Sequence, residues 1–282
     1  MIPSASPASA FVSAAAIGAL CAASASHVAI EAVADTGSTN ADLLARLHRS
    51  GTLPGPLLRI ADQQSAGRGR AGRSWLSAPG AALMFSLAWR FQGPLPRLAG
   101  LPMAVGVALA EAMTALGVPV QIKWPNDLLK GGDKLGGILV ETQADRHDGA
   151  IWAVIGVGIN LLMPDQLEQQ IGRSVAAAPW LAQMDRNALV AALLSRLAAV
   201  LAEFDDTGFM PFAERWNALH AWHGRDVVLL DDGQLLQQGR AAGVDAIGRL
   251  LLDTAQGRVA VLSGDVSLRL SPEPTTGTSP CC

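Results

Sequence analysis

The stretch VPVQIKWPNDLLKGGDKLGGILVETQ, residues 118–143, decides the fold class, because it consists of short strand-like runs joined by tight turns. Apolar and β-branched residues dominate the runs VPVQIKW, LLK and KLGGILVETQ, and this composition favours strands. The intervening PND and GGD tripeptides are typical of turns, since Pro, Asn, Asp and Gly adopt the backbone angles that turns require. The stretch therefore predicts closely spaced neighbouring strands near the middle of the chain.

Outward from this stretch, strands and helices alternate. The segment 97–117 is apolar on nearly all sides, which predicts a buried helix, and its Gly and Pro residues argue against a membrane span. Thr39 and Asp42 fit a capping box at the start of one helix, and Asp185 is a good N-cap for another. The predicted strands are 28–35, 57–62, 82–90 and 151–162, and the other predicted helices are 41–48, 185–204 and 209–222.

The character of the sequence changes after Gly224. Short apolar runs separated by Gly and Asp follow, which predicts a small all-β barrel of about 50 residues, near the lower size limit for independent folding. The expected fold class is α+β. We divide the chain into an N-terminal arm in which order is optional, a main α+β domain, a barrel and a polar tail, at residues 1–27, 28–222, 223–270 and 271–282.

Composition and cysteine content exclude several classes of protein. The 282 residues carry a net charge of −3, so the chain as a whole shows no sign of binding nucleic acid or an anionic membrane. Cys21, Cys281 and Cys282 lack the spacing of a zinc site or a disulfide framework, which favours reduced thiols and a cytoplasmic location. The apolar run 9–25 has some features of a signal peptide, but no Lys or Arg precedes it, so a short Ala-rich helix or arm is preferred.

The stretch GRGRAGRS, residues 67–74, matches two nucleotide-binding patterns only superficially. The G-x-G-x-x-G fingerprint needs a helix at its last glycine and an acidic residue about 20 positions later, and the sequence predicts neither. A P-loop needs the same helix. What remains is Arg68, Arg70 and Arg73 spaced by glycine, which suits a carboxylate or phosphate ligand. A solvated mobile loop and an RNA-binding patch are the alternatives.

Two further segments combine cations with polar groups. Lys123, Asn126 and Asp127 lie together in KWPND, where Asp127 could bind the Mg²⁺ that accompanies nucleotide phosphates, although Pro-Asn-Asp is also ordinary turn chemistry. Lys134 opens an otherwise apolar strand, and the Gly-Gly pair after Leu135 removes side-chain bulk, as a ligand passing over the strand would require. A strand-end lysine whose ammonium extends into water is the alternative.

Polar residues also stand at the ends of two predicted elements. Ser38, Thr39 and Asn40 precede a helix, and helix capping is sufficient to explain them. Asn160 follows the apolar run GVGI, where it predicts either a turn or a ligand contact.

Together these segments resemble the biotin protein ligase family. GSTN, QSAGRGRAGRSW, KWPNDLL, KLGGILVE and VIGVGIN stand in the family's order within residues 28–270, and the set is specific although each piece alone is not. The resemblance implies a class II synthetase-like mixed sheet flanked by helices and then an SH3-like barrel. It also implies an enzyme that makes biotinyl-5′-AMP from biotin and ATP and transfers biotin to a lysine of the biotin carboxyl carrier protein of acetyl-CoA carboxylase.

The resemblance also implies a role for each candidate residue. Lys134 and Arg70 would be catalytic, and Asp127 would hold Mg²⁺ with ATP. A homodimer is compatible with the resemblance, and neither DNA nor a membrane is expected as a partner. The implied biotin contacts are Ser38, Thr39, Asn40, Gln64, Arg68, Gly69, Arg70, Lys134 and Gly137, and the implied ATP contacts are Arg70, Trp75, Lys123, Asn126, Asp127 and Asn160.

Two alternatives remain at this point. Lipoate ligases and octanoyltransferases share the core fold, but they would need a different Arg-Gly pattern, and the transferase would need a cysteine between residues 22 and 280, where this sequence has none. Some family members carry an N-terminal helix-turn-helix and act as repressors. Because only 27 residues precede the first matching strand here, we expect ligase activity without operator binding.

Overall fold

The computed structural model describes residues 12–264 and 266–271, and within them the strands form two separate sheets. The helices are α1 (Ala14–Leu20), α2 (Thr39–Ser50), α3 (Leu101–Ala115), α4 (Asp165–Ile171), α5 (Pro179–Ala182), α6 (Arg186–Thr207) and α7 (Phe212–Ala218). The strands are β1 (Ala29–Thr36), β2 (Leu57–Gln64), β3 (Ala82–Phe91), β4 (Gln121–Lys123), β5 (Asp127–Lys130), β6 (Asp133–Ala144), β7 (Ile151–Asn160), β8 (Asp226–Asp231), β9 (Gln234–Val244), β10 (Leu250–Thr254), β11 (Gly257–Val261) and β12 (Val266–Leu270).

The larger sheet has seven strands in the order β1-β2-β3-β7-β6-β5-β4. β1 and β2 pair in parallel, whereas the other neighbouring strands pair antiparallel, so the sheet is mixed as predicted. The stretch 118–143 supplies three consecutive strands at one side of this sheet, joined by the predicted turns.

The two faces of the larger sheet carry different layers, because successive side chains of a strand point to opposite faces. Odd-numbered residues of β3 and β7, such as Phe85 and Ile155, belong to the main hydrophobic core, together with the buried residues of α3 and α6. Even-numbered residues, such as Trp152 and Val154, pack with Leu43 of α2 in a second cluster. Further along β7 this second face carries glycines, and the candidate site lies there.

Two helical segments of the described chain are long and apolar enough to cross a membrane, Leu95–Ala115 and Arg186–Thr207. Their most apolar stretches are 72% and 56% buried inside the protein, respectively. Both contribute to the hydrophobic core, as expected for interior helices of a globular domain.

The smaller sheet has five antiparallel strands in the order β11-β10-β9-β8-β12 and forms the predicted C-terminal barrel. Hydrogen bonds connect it to the main domain: Trp124 Nε1 donates to the Gly248 carbonyl (3.2 Å), and Asn217 Oδ1 accepts from the Val244 amide (2.8 Å). The barrel is therefore held against the strand end that carries the KWPND segment. The predicted polar tail, apart from Ser271, lies outside the described residues.

Several predicted element ends differ in the structure, among them the following three. The N-cap of α2 is Ser38 rather than Thr39, because Ser38 Oγ accepts from the Ala41 amide while the Thr39 and Asp42 side chains bond elsewhere. The predicted helix 209–222 was wrong in its extent. Only α7 is helical, since residues 219–221 instead pair with Ile122 through two backbone hydrogen bonds. β7 ends at Asn160, two residues before the predicted boundary.

The described part of the N-terminal arm is folded onto the core, as the preferred Ala-rich helix interpretation predicts. α1 begins after the N-cap Ser13 and packs against α6, and Ile17 is 0% exposed. Residues 1–11, which include the start of the apolar run, lie outside the described residues.

We predict that Ile17→Ala lowers the free energy of unfolding by about 2–5 kcal/mol, because it leaves a cavity in the packed interior. Leu20→Ala, on the same short helix but 53% exposed, is the matched control and should change stability by only about 0.5 kcal/mol. Urea denaturation followed by tryptophan fluorescence measures both. Equal small changes would show that the arm does not contribute to the folded core.

Candidate active site

A cavity of about 300 Å³ opens on the second face of the larger sheet, at the N-terminal end of α2. The main domain supplies most of its wall, and β12 of the barrel supplies the rest. The structure brings all fourteen candidate residues to this one cavity: Ser38, Thr39, Asn40, Gln64, Arg68, Gly69, Arg70, Trp75, Lys123, Asn126, Asp127, Lys134, Gly137 and Asn160.

One end of the cavity is uncharged and rich in hydrogen bonds. Thr39 donates its backbone N–H to Gln64 Oε1 (2.8 Å), and its hydroxyl lies 2.6 Å from Ser86 Oγ. Ser86 in turn donates to Asn40 Oδ1 (2.5 Å). Thr39, Asn40 and Ser86 are buried, so this network is rigid and specifies how a ligand can hydrogen-bond there.

Glycines in β7 let two of the cavity-lining side chains pack directly on the strand. A Cβ atom at Gly158 would lie 2.6 Å from Cε2 of Trp75, so only glycine lets the indole rest on β7. A Cβ at Gly156 would overlap Asn40 Oδ1. The buried indole N–H of Trp75 has no hydrogen-bond partner among the described residues.

The opposite end of the cavity is charged. Lys134 Nζ lies 2.5 Å from one carboxylate oxygen of Asp127, and Lys123 Nζ lies 3.4 Å from the other. Lys123 also lies over the ring of Trp222, 4.8 Å from its centroid. One buried acid therefore stands between two lysines, which leaves a positive charge in excess.

Burial and repulsion between cations shift the ionisation of these groups. Burial lowers the pKa of Lys123 to about 8, and Arg269 and Lys134 add to this shift while Asp127 opposes it. Burial alone would raise the pKa of Asp127, but Lys134 and Lys123 outweigh it and hold the pKa below its usual range. Burial also lowers the pKa of Arg269, aided by Arg73. Cations that repel one another favour an anionic ligand.

The arginine-rich loop folds back as a small hairpin over the cavity. Gly69 donates to the Arg73 carbonyl (2.6 Å), and Trp75 donates to the Gly67 carbonyl (2.9 Å). Arg70 extends from this hairpin to Asn126 Oδ1 (3.2 Å) and to a backbone carbonyl of the barrel at residue 264. The loop and the barrel therefore close the same side of the site.

The two remaining asparagines hold neighbouring backbone segments in place. Asn126 Nδ2 donates to the Ile138 carbonyl (2.7 Å), which fixes the KWPND turn against β6. Asn160 Nδ2 donates to the Ala176 carbonyl (3.1 Å), so its amide anchors the segment that follows α4.

The sequence reasoning missed several residues of this cavity. Ser86 is the one hydroxyl in the apolar run of β3, and that isolated polar residue was the signal for it. Gly156 and Gly158 alternate with bulky residues in β7, which could have indicated a close approach to that strand. Arg269 and Arg173 gave no comparable signal, because only the tertiary fold brings the barrel and the segment after α4 to the site.

Comparisons with known proteins agree with this architecture. Residues 33–160 match the Biotin/lipoate A/B protein ligase family, and residues 223–269 match the Biotin protein ligase C terminal domain. The chain is 38% identical to the bifunctional ligase/repressor BirA of Escherichia coli over 241 residues, which cover 82% of this chain and 71% of that protein. This chain belongs to the biotin protein ligase family.

Other biotin protein ligases show the same relationship. The Biotin--[acetyl-CoA-carboxylase] ligase of Mycobacterium tuberculosis is 35% identical over 247 residues, covering 84% of this chain and 88% of that protein. The structure of the Aquifex aeolicus biotin protein ligase in complex with biotin and ATP aligns with a TM-score of 0.70 and 27% identity, covering 87% of this chain and 99% of that one. The C-terminal match favours the biotin branch of the family over the lipoate branch.

The geometry of this biotin protein ligase does not fit the predicted Mg²⁺ site at Asp127. Both carboxylate oxygens are paired with lysine ammonium groups. Within residues 12–264 and 266–271, no cluster of three or more His, Cys, Asp or Glu side chains could hold a metal ion. Mg²⁺ favours octahedral oxygen ligands, and a single carboxylate neutralised by two cations is a poor start for such a site.

The lowered pKa of Lys123 predicts a pH-dependent loss of nucleotide use. Lys123 is charged below about pH 8 and neutral above it, so kcat/KM for ATP should fall as pH rises through about 8. Lys123→Arg should move this fall to higher pH, because arginine stays charged. Lys130→Arg, on the exposed end of β5, is the matched control and should leave the profile unchanged.

The stability of the wild type should show the opposite trend. Because the pKa of Lys123 is about 8 in the folded chain and 10.5 is its ordinary value, the unfolded chain binds the extra proton between these limits. The contribution of Lys123 to the free energy of unfolding should therefore rise with pH across this window.

The activity prediction has its own contradicting outcome. If the kcat/KM profile of Lys123→Arg is the same as that of the wild type, a group other than Lys123 causes the loss of activity at high pH.

Proposed function

We propose that this chain is an ATP-dependent biotin protein ligase that forms biotinyl-5′-AMP and transfers the biotinyl group to a lysine of the biotin carboxyl carrier protein of acetyl-CoA carboxylase. The observation that carries this proposal is the two-ended cavity. Its neutral end offers buried hydrogen-bonding groups at Thr39, Asn40 and Ser86. Its other end places Lys123 and Lys134 around a single acid.

Biotin has the complementary chemistry. Its bicyclic head is neutral and contains a cyclic urea with N–H donors and a carbonyl acceptor, and its tail ends in a carboxylate. The head suits the hydrogen-bond network, and the carboxylate suits the lysines. The triphosphate of ATP brings further negative charge, which the arginines of the loop and of β12 would neutralise.

In the first step, a carboxylate oxygen of biotin attacks the α-phosphorus of ATP, the bond from this phosphorus to the bridging oxygen breaks, and pyrophosphate leaves. Two anions must approach each other, so nearby cations lower the barrier. Lys134 is the cation best placed to do this. Its ammonium lies beside Gly137, near the N-terminal end of β6, and Gly137 has no side chain that could separate the ammonium from the cavity. No nucleophile from the protein is required.

In the second step, the amine of the carrier lysine attacks the acyl carbon of biotinyl-5′-AMP. The bond from the acyl carbon to the phosphate oxygen breaks, AMP leaves, and the amine loses a proton as the amide forms. A mixed anhydride is sensitive to water, so it must be shielded between the steps. We assign this shielding to the arginine hairpin, which Arg70 links to Asn126 and to the barrel.

A lipoate-activating enzyme is the alternative function. Its dithiolane head has no N–H donor and would leave the remaining acceptor capacity of the polar oxygens at the neutral end unused, which disfavours it. Three features stay predictions: a cytoplasmic location, a homodimer, and the absence of operator binding. A mobility-shift assay with operator DNA tests the last of these.

Labelled biotin tests the proposal directly. The full chain is incubated with labelled biotin, ATP and a carboxyl carrier domain, and pyrophosphate release is followed in parallel with biotin and with lipoate. We expect label on the carrier lysine and biotin-dependent pyrophosphate release, with little response to lipoate. Release with lipoate alone would overturn the assignment of the substrate.

We predict that Lys134→Ala cripples adenylate formation, because the lysine meets carboxylate and α-phosphate together only as their bond forms. Loss of such a donor costs about 2.7–4 kcal/mol, or on the order of 10²–10³ in rate. Single-turnover pyrophosphate release at saturating ATP and biotin measures the effect. Transfer from pre-made biotinyl-5′-AMP should be affected less.

Lys130→Ala is the matched control, since this exposed lysine lies on the adjacent strand β5 but does not line the cavity. It should release pyrophosphate at the wild-type rate. If Lys134→Ala stays within a factor of about three of the wild type, far short of the loss of a transition-state donor, Lys134 is an ordinary strand-end lysine.

A further inference from the structure

Trp222 lies beside Lys123 but outside the set of described residues that line the cavity. The Lys123 ammonium lies over its indole, with Nζ 4.8 Å from the ring centroid, which is within the range of a cation–π contact. Trp222 is half-buried and packs against the main hydrophobic core. The indole is therefore in contact with a lysine of the site without being part of the cavity wall.

Backbone pairing places the indole at this point. The segment after α7 runs alongside β4: the Ile122 amide donates to the Leu219 carbonyl (2.8 Å), and the Ala221 amide donates to the Ile122 carbonyl (2.9 Å). Lys123 and Trp222 are the next residues along these two paired segments, so their side chains come from neighbouring positions. The contact is therefore set by paired backbone at the edge of the larger sheet.

The ion pair with Asp127 is by itself a weak restraint on Lys123. Asp127 places one carboxylate oxygen 3.4 Å from Lys123 Nζ, whereas its other oxygen lies 2.5 Å from Lys134 Nζ. Burial disfavours the charged form of Lys123 and lowers its pKa to about 8, and repulsion from Arg269 and Lys134 adds to this effect. Because a lysine ammonium is carried on a flexible four-carbon stem, it needs a further contact to stay in one place.

We propose that Trp222 is a positioning residue for adenylate formation, whose indole holds the Lys123 ammonium at the cavity in the orientation that meets ATP. The face of an indole attracts a cation electrostatically. Unlike a second carboxylate, it adds no negative charge that would repel the phosphates. This inference rests on the proposed function, since ATP is the substrate that Lys123 would meet.

A double-mutant cycle tests this role. Trp222→Leu keeps the side chain apolar but removes the π face, and should lower kcat/KM for ATP in pyrophosphate release about three- to thirtyfold, the scale of a cation–π contact. Lys123→Met keeps the length of the lysine without its charge. In that background Trp222→Leu should change kcat/KM by less than about twofold, because the two residues act as a pair. An equal loss in both backgrounds would overturn the proposal, since the indole would then act through packing.

A conservative variant and a matched control accompany the cycle. Trp222→Phe retains an aromatic face and should keep kcat/KM for ATP within about threefold of the wild type. Trp180→Leu removes an indole that is 62% exposed and outside the described lining residues, and should leave kcat/KM unchanged. The calorimetric Kd for biotin should change little in either Trp222 variant, because the neutral end is untouched. A Trp222→Phe enzyme as slow as Trp222→Leu would contradict the cation–π role.

Fluorinated tryptophan at position 222 keeps the test decisive if Trp222→Leu fails to fold. Each added fluorine withdraws electron density from the ring face with little change of shape, and so weakens its attraction for a cation. We expect kcat/KM for ATP to fall stepwise with the number of fluorine atoms. Equal rates across the series would refute the role of the indole.

Urea denaturation of the same variants measures the contact without any substrate. The effects of Trp222→Leu and Lys123→Met on the free energy of unfolding should be non-additive, as expected for residues in contact. Additive effects in a wild type that releases pyrophosphate with biotin would overturn the inference alone. A wild type that releases no pyrophosphate with biotin would refute the proposed function, and with it the role of Trp222, even where unfolding shows the contact.

Discussion

The site depends on a steric constraint in β7: the strand must support the core on one face and leave space on the other. Its odd-numbered residues, such as Ile155 and Ile159, fill the main hydrophobic core. On the opposite face Gly156 and Gly158 carry no side chain, and Asn40 and Trp75 occupy the space where their Cβ atoms would be. Because β7 is the central strand of the seven, the cavity rests on a strand that is paired on both sides.

Charge is distributed unevenly along this rigid floor. The buried carboxylate of Asp127 pairs with both Lys123 and Lys134, so the cations are held in place before a ligand arrives. A single acid cannot neutralise them together with the arginines of the loop and barrel. The site is therefore organised in advance for a reaction in which two anions must meet, and such preorganised charge is the main source of stabilisation in sites of this kind.

The neutral end is organised by hydrogen bonds instead of charge, and the barrel completes the enclosure. Hydrogen bonds connect Thr39, Ser86 and Asn40, with Ser86 donating to the Asn40 carbonyl oxygen, and each member is buried. The barrel contributes Arg269 and the carbonyl that Arg70 reaches, although it folds as a separate sheet. The cavity thus lies between two structural units, a common location for ligand sites.

The sequence by itself determined the alternation of elements, the buried α3 and most of the polar residues around the cavity, because local periodicity, turn chemistry and ordered motifs are properties of short segments. Only the tertiary structure decided which donors face which acceptors. Ser86 became recognisable once β3 and α2 were side by side, and Asp127 proved to be a partner of two lysines. Likewise α7 ended early because β4 competed for its backbone. Contacts between distant segments depend on packing, which no local pattern records.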